Sequence, residues 1–574
     1  MRKGFEPIYE CRKVTDIKDL LYSGLELYAD NPLFLEKSGE TGRYETILYK
    51  DYVSEVECLG TALLYLGLSG SHVAVIGENR YRWVTSYMAV VNGAGTIVPV
   101  DKELPVHEIM NIVERCSPSA VIYSGRKSAE MVEIAKRADS VRFFIGMDQK
   151  PGDENGRFLS YDGLIAMGRK EIEAGNRSYI DAKIDPQAIN ILLFTSATTS
   201  TSKAAQLTHY NIVSNLMSMV TLIKLEQSDR FLSFLPLHHT YECTCGFLCP
   251  LFMGCSVAFS EGLKHLVDNM KESGSTIMLG VPLLFEGMYK KLWKKAEASG
   301  SAPKLRKALK ISNFLMKIGI DLRKKLFHTI YEGLGGTIRM FISGAAAISP
   351  EVAKFFRGIG LDFFQGYGLT ECSPILALNS DVDFIDASAG KAIPGVEIQI
   401  WEPNDEGIGE IVAKGPNIMK GYLDEPELNE EIFEGGYFHT GDMGYMDDAG
   451  FIFITGRKKC VIVTKNGKNI YPEEIEQLIN KSPLVAESMV FGVVDPDSKE
   501  ELITASILPD LEVFETEFGN SSTEFVKSKL RELIKEVNSS LVNYKMIRDM
   551  KVRSTEFVKT TTGKIKRYVP ENKE

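Results

Sequence analysis

Ile189-Asn-Ile-Leu-Leu-Phe194 runs without a charge straight into Thr195-Ser-Ala-Thr-Thr-Ser-Thr-Ser-Lys203. The first six residues read as an apolar strand. The nine that follow read as a loop rich in hydroxyls and ending on a lysine. Such a loop can wrap a polyphosphate: hydroxyls and backbone N–H groups donate hydrogen bonds, and lysine adds a positive charge. It is not a Walker loop, because the G-x-x-x-x-G-K spacing is missing. By itself it reads more readily as a solvated Ser/Thr loop.

Outward from that strand, the first half of the chain alternates two patterns. Segments 71–76, 96–100, 120–123, 141–145 and 188–194 read as strands, with helices over 80–91 and from near Pro105. Apolar strands separated by helices predict α/β units with parallel pairing. The second half turns β-rich, with short strands expected within 396–401, 409–413 and 444–455, split by Gly, Pro and Asp turns. Strands over 487–494 and 502–508 and a charged helix over 523–538 predict a separate small α+β unit. The fold class is therefore α/β, with a large N-terminal domain of α/β subdomains plus a β-rich subdomain. A break near Gly456 divides the chain into 1–455 and 456–574.

Bulk properties exclude several classes. A chain of 574 residues is too long for one core. With 44% hydrophobic and 25% charged residues it has ordinary globular composition. A net charge of −11 argues against a nucleic-acid partner. Residues 1–19 carry scattered charges and no apolar run, so no secretion signal is expected. Nine cysteines without a regular framework point to reduced thiols and a cytoplasmic protein. Segment 243–259 is uncharged but shorter than the roughly 20 residues a membrane span needs. It reads as a buried helix and strand. Its four cysteines and the nearby His238 and His239 match no common zinc spacing.

Four further segments carry chemistry. In Gln365-Gly-Tyr-Gly-Leu-Thr-Glu371, two glycines let the backbone approach a planar ring, on which Tyr367 can stack. Glu371 is a hard oxygen ligand suited to magnesium. In Tyr437-Phe-His-Thr-Gly-Asp442, the Asp after a turn can accept both hydroxyls of a ribose, although Asp is also a common turn residue. Thr455-Gly-Arg-Lys-Lys459 and Lys559-Thr-Thr-Thr-Gly-Lys-Ile-Lys-Arg567 are basic turns that, taken singly, read as solvated surface.

In this order, the five segments resemble the adenylate-forming (AMP-binding) superfamily: acyl-CoA synthetases, peptide-synthetase adenylation domains and luciferases. The resemblance runs from about Tyr49 to Arg567, and it implies ATP, Mg2+ and coenzyme A as reactants. Thr195, Ser196, Thr198, Thr199 and Lys203 sit where the family holds the ATP phosphates. Gly344, Ala345 and Ala346, with Gln365, Gly366, Tyr367 and Gly368, look like its adenine pocket. Thr370 resembles the α-phosphate contact, Glu371 the magnesium ligand, and Asp442 and Arg457 the ribose anchors. Lys564 resembles the lysine that bridges the attacking carboxylate and the α-phosphate. His239 and Glu242 match the segment flanking the acyl tunnel and thiol entrance. Lys459 falls at the hinge about which the family's small C-terminal domain swings, so that domain is expected to be mobile. The family's phosphate loop has glycine where this chain has Ala197, Ser200 and Ala204. If Ala197 needs a positive φ, the Cβ costs on the order of 1–2 kcal/mol. Val558 stands where the family often has proline.

The resemblance also bears on the acid. Fifty-two residues, many with helical character, lie between Pro282 and Gly335, as in long-chain members, and Ser343-Gly-Ala-Ala-Ala-Ile-Ser-Pro350 looks like the long-chain type. The expected substrate is a medium- to long-chain fatty acid. The same region is strongly basic. Segment 290–325 holds twelve Lys and Arg against two acids, a net +10 that leaves −21 elsewhere. Interleaved Leu292, Trp293, Leu305, Leu309, Ile311, Phe314, Leu315 and Ile318 make an amphipathic basic surface suited to an anionic bilayer. A solvated helical face packed on the core is the alternative. An acyl carrier protein as thiol acceptor, or a non-catalytic acyl-adenylate binder, also remains open at this level.

Overall fold

The computed structural model describes residues 4–148, 156–195, 202–463, 468–494, 501–560 and 563–574. Among these, two large sheets face each other. A seven-stranded sheet runs Phe158–Ser160, Phe143–Gly146, Ala120–Tyr123, Ser71–Ile76, Gly95–Val100, Ile189–Thr195, Lys203–Thr208 in spatial order. It is parallel except for its last pair. A nine-stranded sheet centres on the parallel strands Ser256–Phe259, Arg230–Ser233, Ile277–Gly280, Met340–Ser343 and Asp362–Gly368.

The period of two along each strand explains why one core is sandwiched and two lie outside. Val73 and Val75 join Phe231, Val257 and Ile277 in a cluster shared by both sheets. Their neighbours Ala74 and Ile76 face a second cluster, and Leu232, Ala258 and Met278 a third. Helix His209–Met219 passes between the sheets and starts on a reciprocal capping box of Thr208 and Asn211. Segment 243–259 is buried, as expected. It forms a π-helix Tyr241–Leu248, a short helix Cys249–Met253 and the strand Ser256–Phe259.

The β-rich part is a four-stranded antiparallel sheet: Glu397–Trp401, Gly409–Lys414, Phe438–Met446 and Ile452–Arg457. Two expectations shift here. Segment 444–455 is not a run of short strands of its own. Its two halves belong to longer partners, because pairing reaches out to Asp442 opposite Arg457. The chain also stays in this sheet through Arg457, past the expected break at Gly456. The C-terminal residues form a separate layer, with strands Val485–Val494, Glu501–Pro509 and Asp549–Val552 against helices Pro472–Ile479 and Thr523–Ser540. Ile475, Val490, Ile507, Phe514 and Leu530 give it a core of its own. No helix among the described residues is long and apolar enough to cross a membrane.

Candidate active site

A cleft of about 2980 Å³ lies where the C-terminal layer meets the sheets. That is several times a typical small-ligand pocket of roughly 300–1,000 Å³, so it can hold more than one ligand at once. Thr195, Lys203, His239, Gly344, Ala345, Ala346, Gln365, Gly366, Tyr367, Gly368, Thr370, Glu371, Asp442, Arg457, Lys459 and Lys564 all line it. Every described residue singled out from the sequence for chemistry is thus brought to one place. Ser196, Thr198 and Thr199 lie outside the described residues, as do Ala197 and Ser200. Ala204 is described, and it sits in the extended strand Lys203–Thr208, away from the left-handed region. Its Cβ therefore imposes no backbone strain where the family has glycine.

Strand Asp362–Gly368 ends at the cleft and pairs antiparallel with Ile375–Leu378. A Cβ on Gly368 would lie 1.8 Å from the Pro374 carbonyl oxygen. The glycine after Tyr367 is therefore demanded by the neighbouring strand as well as by any ring approaching from the cleft. Tyr367 is buried, and its hydroxyl donates to Asp442 Oδ2 at 2.8 Å. The other oxygen, Oδ1, meets Arg457 Nε at 2.8 Å. Burial raises the Asp442 carboxyl above its ordinary range, while Arg457, the Tyr367 hydroxyl and Lys564 hold it down. Gln365 spends its amide N–H groups on the backbone carbonyls of Asp386 and Ser388, at 2.8 and 2.5 Å, so the side chain also braces the wall.

Glu371 is 9% exposed and accepts the Tyr422 hydroxyl on Oε1 at 2.6 Å. Lys203 Nζ lies 5.3 Å from the centre of the same tyrosine ring. Tyr422 thus links Lys203, at the end of the hydroxyl-rich segment, to the carboxylate, a contact that no motif in the sequence announced. Among the described residues no hydrogen bond occupies Oε2, so it could take a cation. A single carboxylate fits Mg2+, which usually takes one or two such ligands and completes its shell with water and phosphate oxygens. Among the described residues no group of three or more His, Cys, Asp or Glu could hold a metal unaided.

Lys564 reaches this centre from the tip of a tight turn. Gly563 stands at φ +80°, and Thr560 N–H donates to the Lys564 carbonyl at 2.8 Å. The turn is anchored on the C-terminal layer by Lys559–Glu487 at 2.7 Å and Arg567–Glu476 at 2.5 Å. Solvent reaches Lys564 through the wide cleft, yet protein surrounds it. That burial lowers its pKa, Arg457 lowers it further, and Asp442 and Glu371 pull it back up. Its charge also acts on His239, whose imidazole burial pushes down to about 3. Two buried carboxylates, Glu371 and Asp442, and three cations, Lys203, Arg457 and Lys564, thus line one cleft with apolar Met219, Val220, Ile223, Leu225, Phe231 and Cys249.

Ala345 stands in the left-handed region at φ +73°. Its neighbour Gly344 is packed so closely that a Cβ would lie 2.7 Å from the Tyr241 ring. Tyr241 in turn donates to the Ile342 carbonyl at 2.9 Å. The strand-to-helix connection at 344–346 is therefore held in a strained shape by its surroundings, a pattern common at ligand-binding edges.

The sequence model of the AMP-binding enzyme matches residues 26–423, and that of the AMP-binding enzyme C-terminal domain matches residues 474–564. Long-chain-fatty-acid–CoA ligase 1 of Cavia porcellus is 29% identical over 534 residues, covering 88% of this chain and 75% of its own. Long-chain-fatty-acid–CoA ligase 5 of Mus musculus is 30% identical over 549 residues, covering 84% and 79%. Among solved structures, an anthranilate CoA ligase in complex with anthranoyl-AMP superposes with a TM-score of 0.75 at 20% identity, over 98% of this chain and 97% of its own. The o-succinylbenzoate CoA synthetase of Bacillus subtilis in complex with ATP and magnesium superposes with a TM-score of 0.71 at 21% identity, over 97% and 99%.

Proposed function

The chain belongs to the AMP-binding enzyme family, as an AMP-forming acid–thiol ligase of the acyl-CoA ligase type, and from that premise we propose that it activates a medium- to long-chain fatty acid and transfers the acyl group to coenzyme A. The observation that carries this reading is the meeting of Lys564, borne by a layer with its own core, with Glu371 and the Asp442–Arg457 pair in a cleft that continues along an apolar wall.

The chemistry needs this charge arrangement. A carboxylate is a poor electrophile, so it first attacks the α-phosphorus of ATP and expels pyrophosphate. Two anions must approach each other, and the site has to neutralise both. Lys203 faces the leaving phosphates and Lys564 stands between the reactants. Asp442 accepts the ribose hydroxyls with Arg457 beside it, and Tyr367 lies against the adenine. Glu371 would hold magnesium, which when bound would supply further positive charge at the phosphates. The acyl-adenylate is then attacked by the thiol, with AMP as leaving group. For that step the C-terminal layer swings about Lys459, removing Lys564 and opening a path past His239. Lys459 is exposed in the short turn Lys458–Cys460, directly after the strand that carries Arg457.

A panel of straight-chain acids with ATP and coenzyme A tests the assignment. Each methylene buried on the wall contributes about 0.8 kcal/mol, so kcat/KM for AMP release is expected to rise about fourfold per added carbon until the wall ends. A flat series, or faster turnover of aromatic or amino acids, contradicts it. Replacing coenzyme A by acyl carrier protein in the same assay separates the two acceptors.

The basic region supports docking on an anionic membrane, with a face that differs from the one expected. Leu292, Trp293, Leu305 and Leu309 pack on the protein core, and Trp293 lies 5.9 Å from Phe355 and under the Arg306 guanidinium. They are half-buried. The exposed apolar side chains are Ile311, Phe314 and Ile318 of the expected set, joined by Ile320, Leu322 and Leu326, with Phe314 64% exposed. Lys310, Lys317, Lys324 and Lys325 are exposed beside them. Each such cation near an anionic surface contributes about 1 kcal/mol. Charge reversal at Lys310, Lys317 and Lys324 is expected to abolish co-sedimentation with phosphatidylglycerol vesicles. Equal binding by both proteins removes the idea.

A further inference from the structure

One side chain in the apolar part of the cleft has no role in the chemistry above. Glu242 lies in the π-helix Tyr241–Leu248 and is 1% exposed. Among the described residues, neither Oε1 nor Oε2 has a hydrogen-bond partner. An unpaired carboxyl in such a place costs free energy unless something completes its bonds. The structure makes room for it: a Cβ on Gly246, one turn on, would lie 2.7 Å from the carboxyl carbon. Glu242 lines the same cavity as Met219, Val220, Ile223, Phe231, Cys245 and Cys249. The polar groups that face it are few. Ser233 faces it and lowers its pKa against the effect of burial, and its own helix adds Tyr241, Cys243 and Cys245. His239 answers instead to His238, Asp101 and Lys564.

We infer that Glu242 is a specificity-determining residue that reads a hydroxyl on the acyl chain, so that the preferred substrate class is a hydroxylated fatty acid with its oxygen level with this carboxyl. The inference rests on the reading above that an acyl chain occupies this cavity. Burial pushes the Glu242 carboxyl up to about 8. At neutral pH it is therefore protonated, with one O–H to donate and one carbonyl oxygen to accept. A secondary alcohol offers the complementary pair. A plain methylene at the same depth leaves both oxygens unpaired, and a site built to bond a substrate hydroxyl discriminates strongly against the analogue without it.

The test is the ratio of kcat/KM for each positional hydroxystearate to that for stearate, read as AMP release at neutral pH. In the wild type one position is expected to exceed stearate by at least about tenfold, with its neighbours falling away on both sides. Glu242→Gln keeps a donor and an acceptor and is expected to retain the peak. Glu242→Leu is expected to bring the ratio down to about one. A flat wild-type series overturns the inference without any variant, which covers the case in which Glu242→Leu does not fold. A peak that survives in a folded Glu242→Leu overturns it too. Turnover of stearate with no hydroxyl preference means that water satisfies the carboxyl, and only this inference falls. Absence of AMP release with every acid overturns the fatty-acid reading itself.

Discussion

Lys564→Ala is expected to slow acyl-adenylate formation by about 10²–10³-fold, the range seen when one preorganised donor to a developing charge is removed. Pyrophosphate exchange measures that step alone. The thiol step, started from acyl-adenylate added directly, is expected to keep most of its rate, because the turn carrying Lys564 has left the centre by then. A variant that loses both steps equally would count against the swing about Lys459. The pH dependence follows from the sign of the shift. Burial and Arg457 place the Lys564 pKa below the ordinary lysine value. The bridging role needs the protonated amine, so kcat/KM is lost as pH rises through that lowered pKa. The alkaline limb should therefore begin earlier than an unperturbed lysine allows, and it should be absent from the residual activity of Lys564→Ala.

Asp442→Asn is the second large effect. The carboxylate takes the Tyr367 hydroxyl on one oxygen and Arg457 on the other, with only 6% of the residue exposed. The neutral amide loses the ion pair with the guanidinium and one of the two acceptor oxygens, and presents N–H groups where the ribose hydroxyls need an acceptor. Hydrogen bonds to a charged group contribute about 1.5–3 kcal/mol, so KM for ATP is expected to rise roughly 10–100-fold. Arg457 is partly open to water, so the loss in stability stays below that of a fully buried broken pair. Here the limb is acidic. Burial raises the Asp442 pKa, so protonation sets in at a higher pH than for an ordinary aspartate, and ATP affinity falls as pH drops through that value. Equilibrium binding of ATP across pH checks this without turnover. An Asp442→Asn protein with unchanged ATP affinity would show that the nucleotide lies elsewhere in the cleft.

Much of this was legible in residue order because local chemistry is written locally. Apolar strands such as 71–76 and 120–123 appear as runs of buried residues on both faces, which is what a covered parallel sheet imposes on its strands. The spaced motifs around Thr195, Tyr367, Asp442, Arg457 and Lys564 likewise identify the family without coordinates. What could not be read there depends on which distant residues meet. Tyr422 belongs to no motif, yet it holds Glu371 from 51 positions away. The opposition of Asp442 and Arg457 is a strand register, set by pairing that begins at Met446 and Ile452. Trp293 and Phe314 belong to one hydrophobic pattern in the sequence, but Phe314 is exposed while Trp293 is half-buried, because Phe355 and Arg306 pack against the tryptophan. Glu242 could be matched to a segment beside the acyl tunnel, whereas its lack of partners became visible only after the sheets closed around it. Periodicity and motif chemistry are properties of neighbours along the chain; desolvation and pairing across hundreds of residues arise from the folded whole, and these are the terms that set the charges at the site.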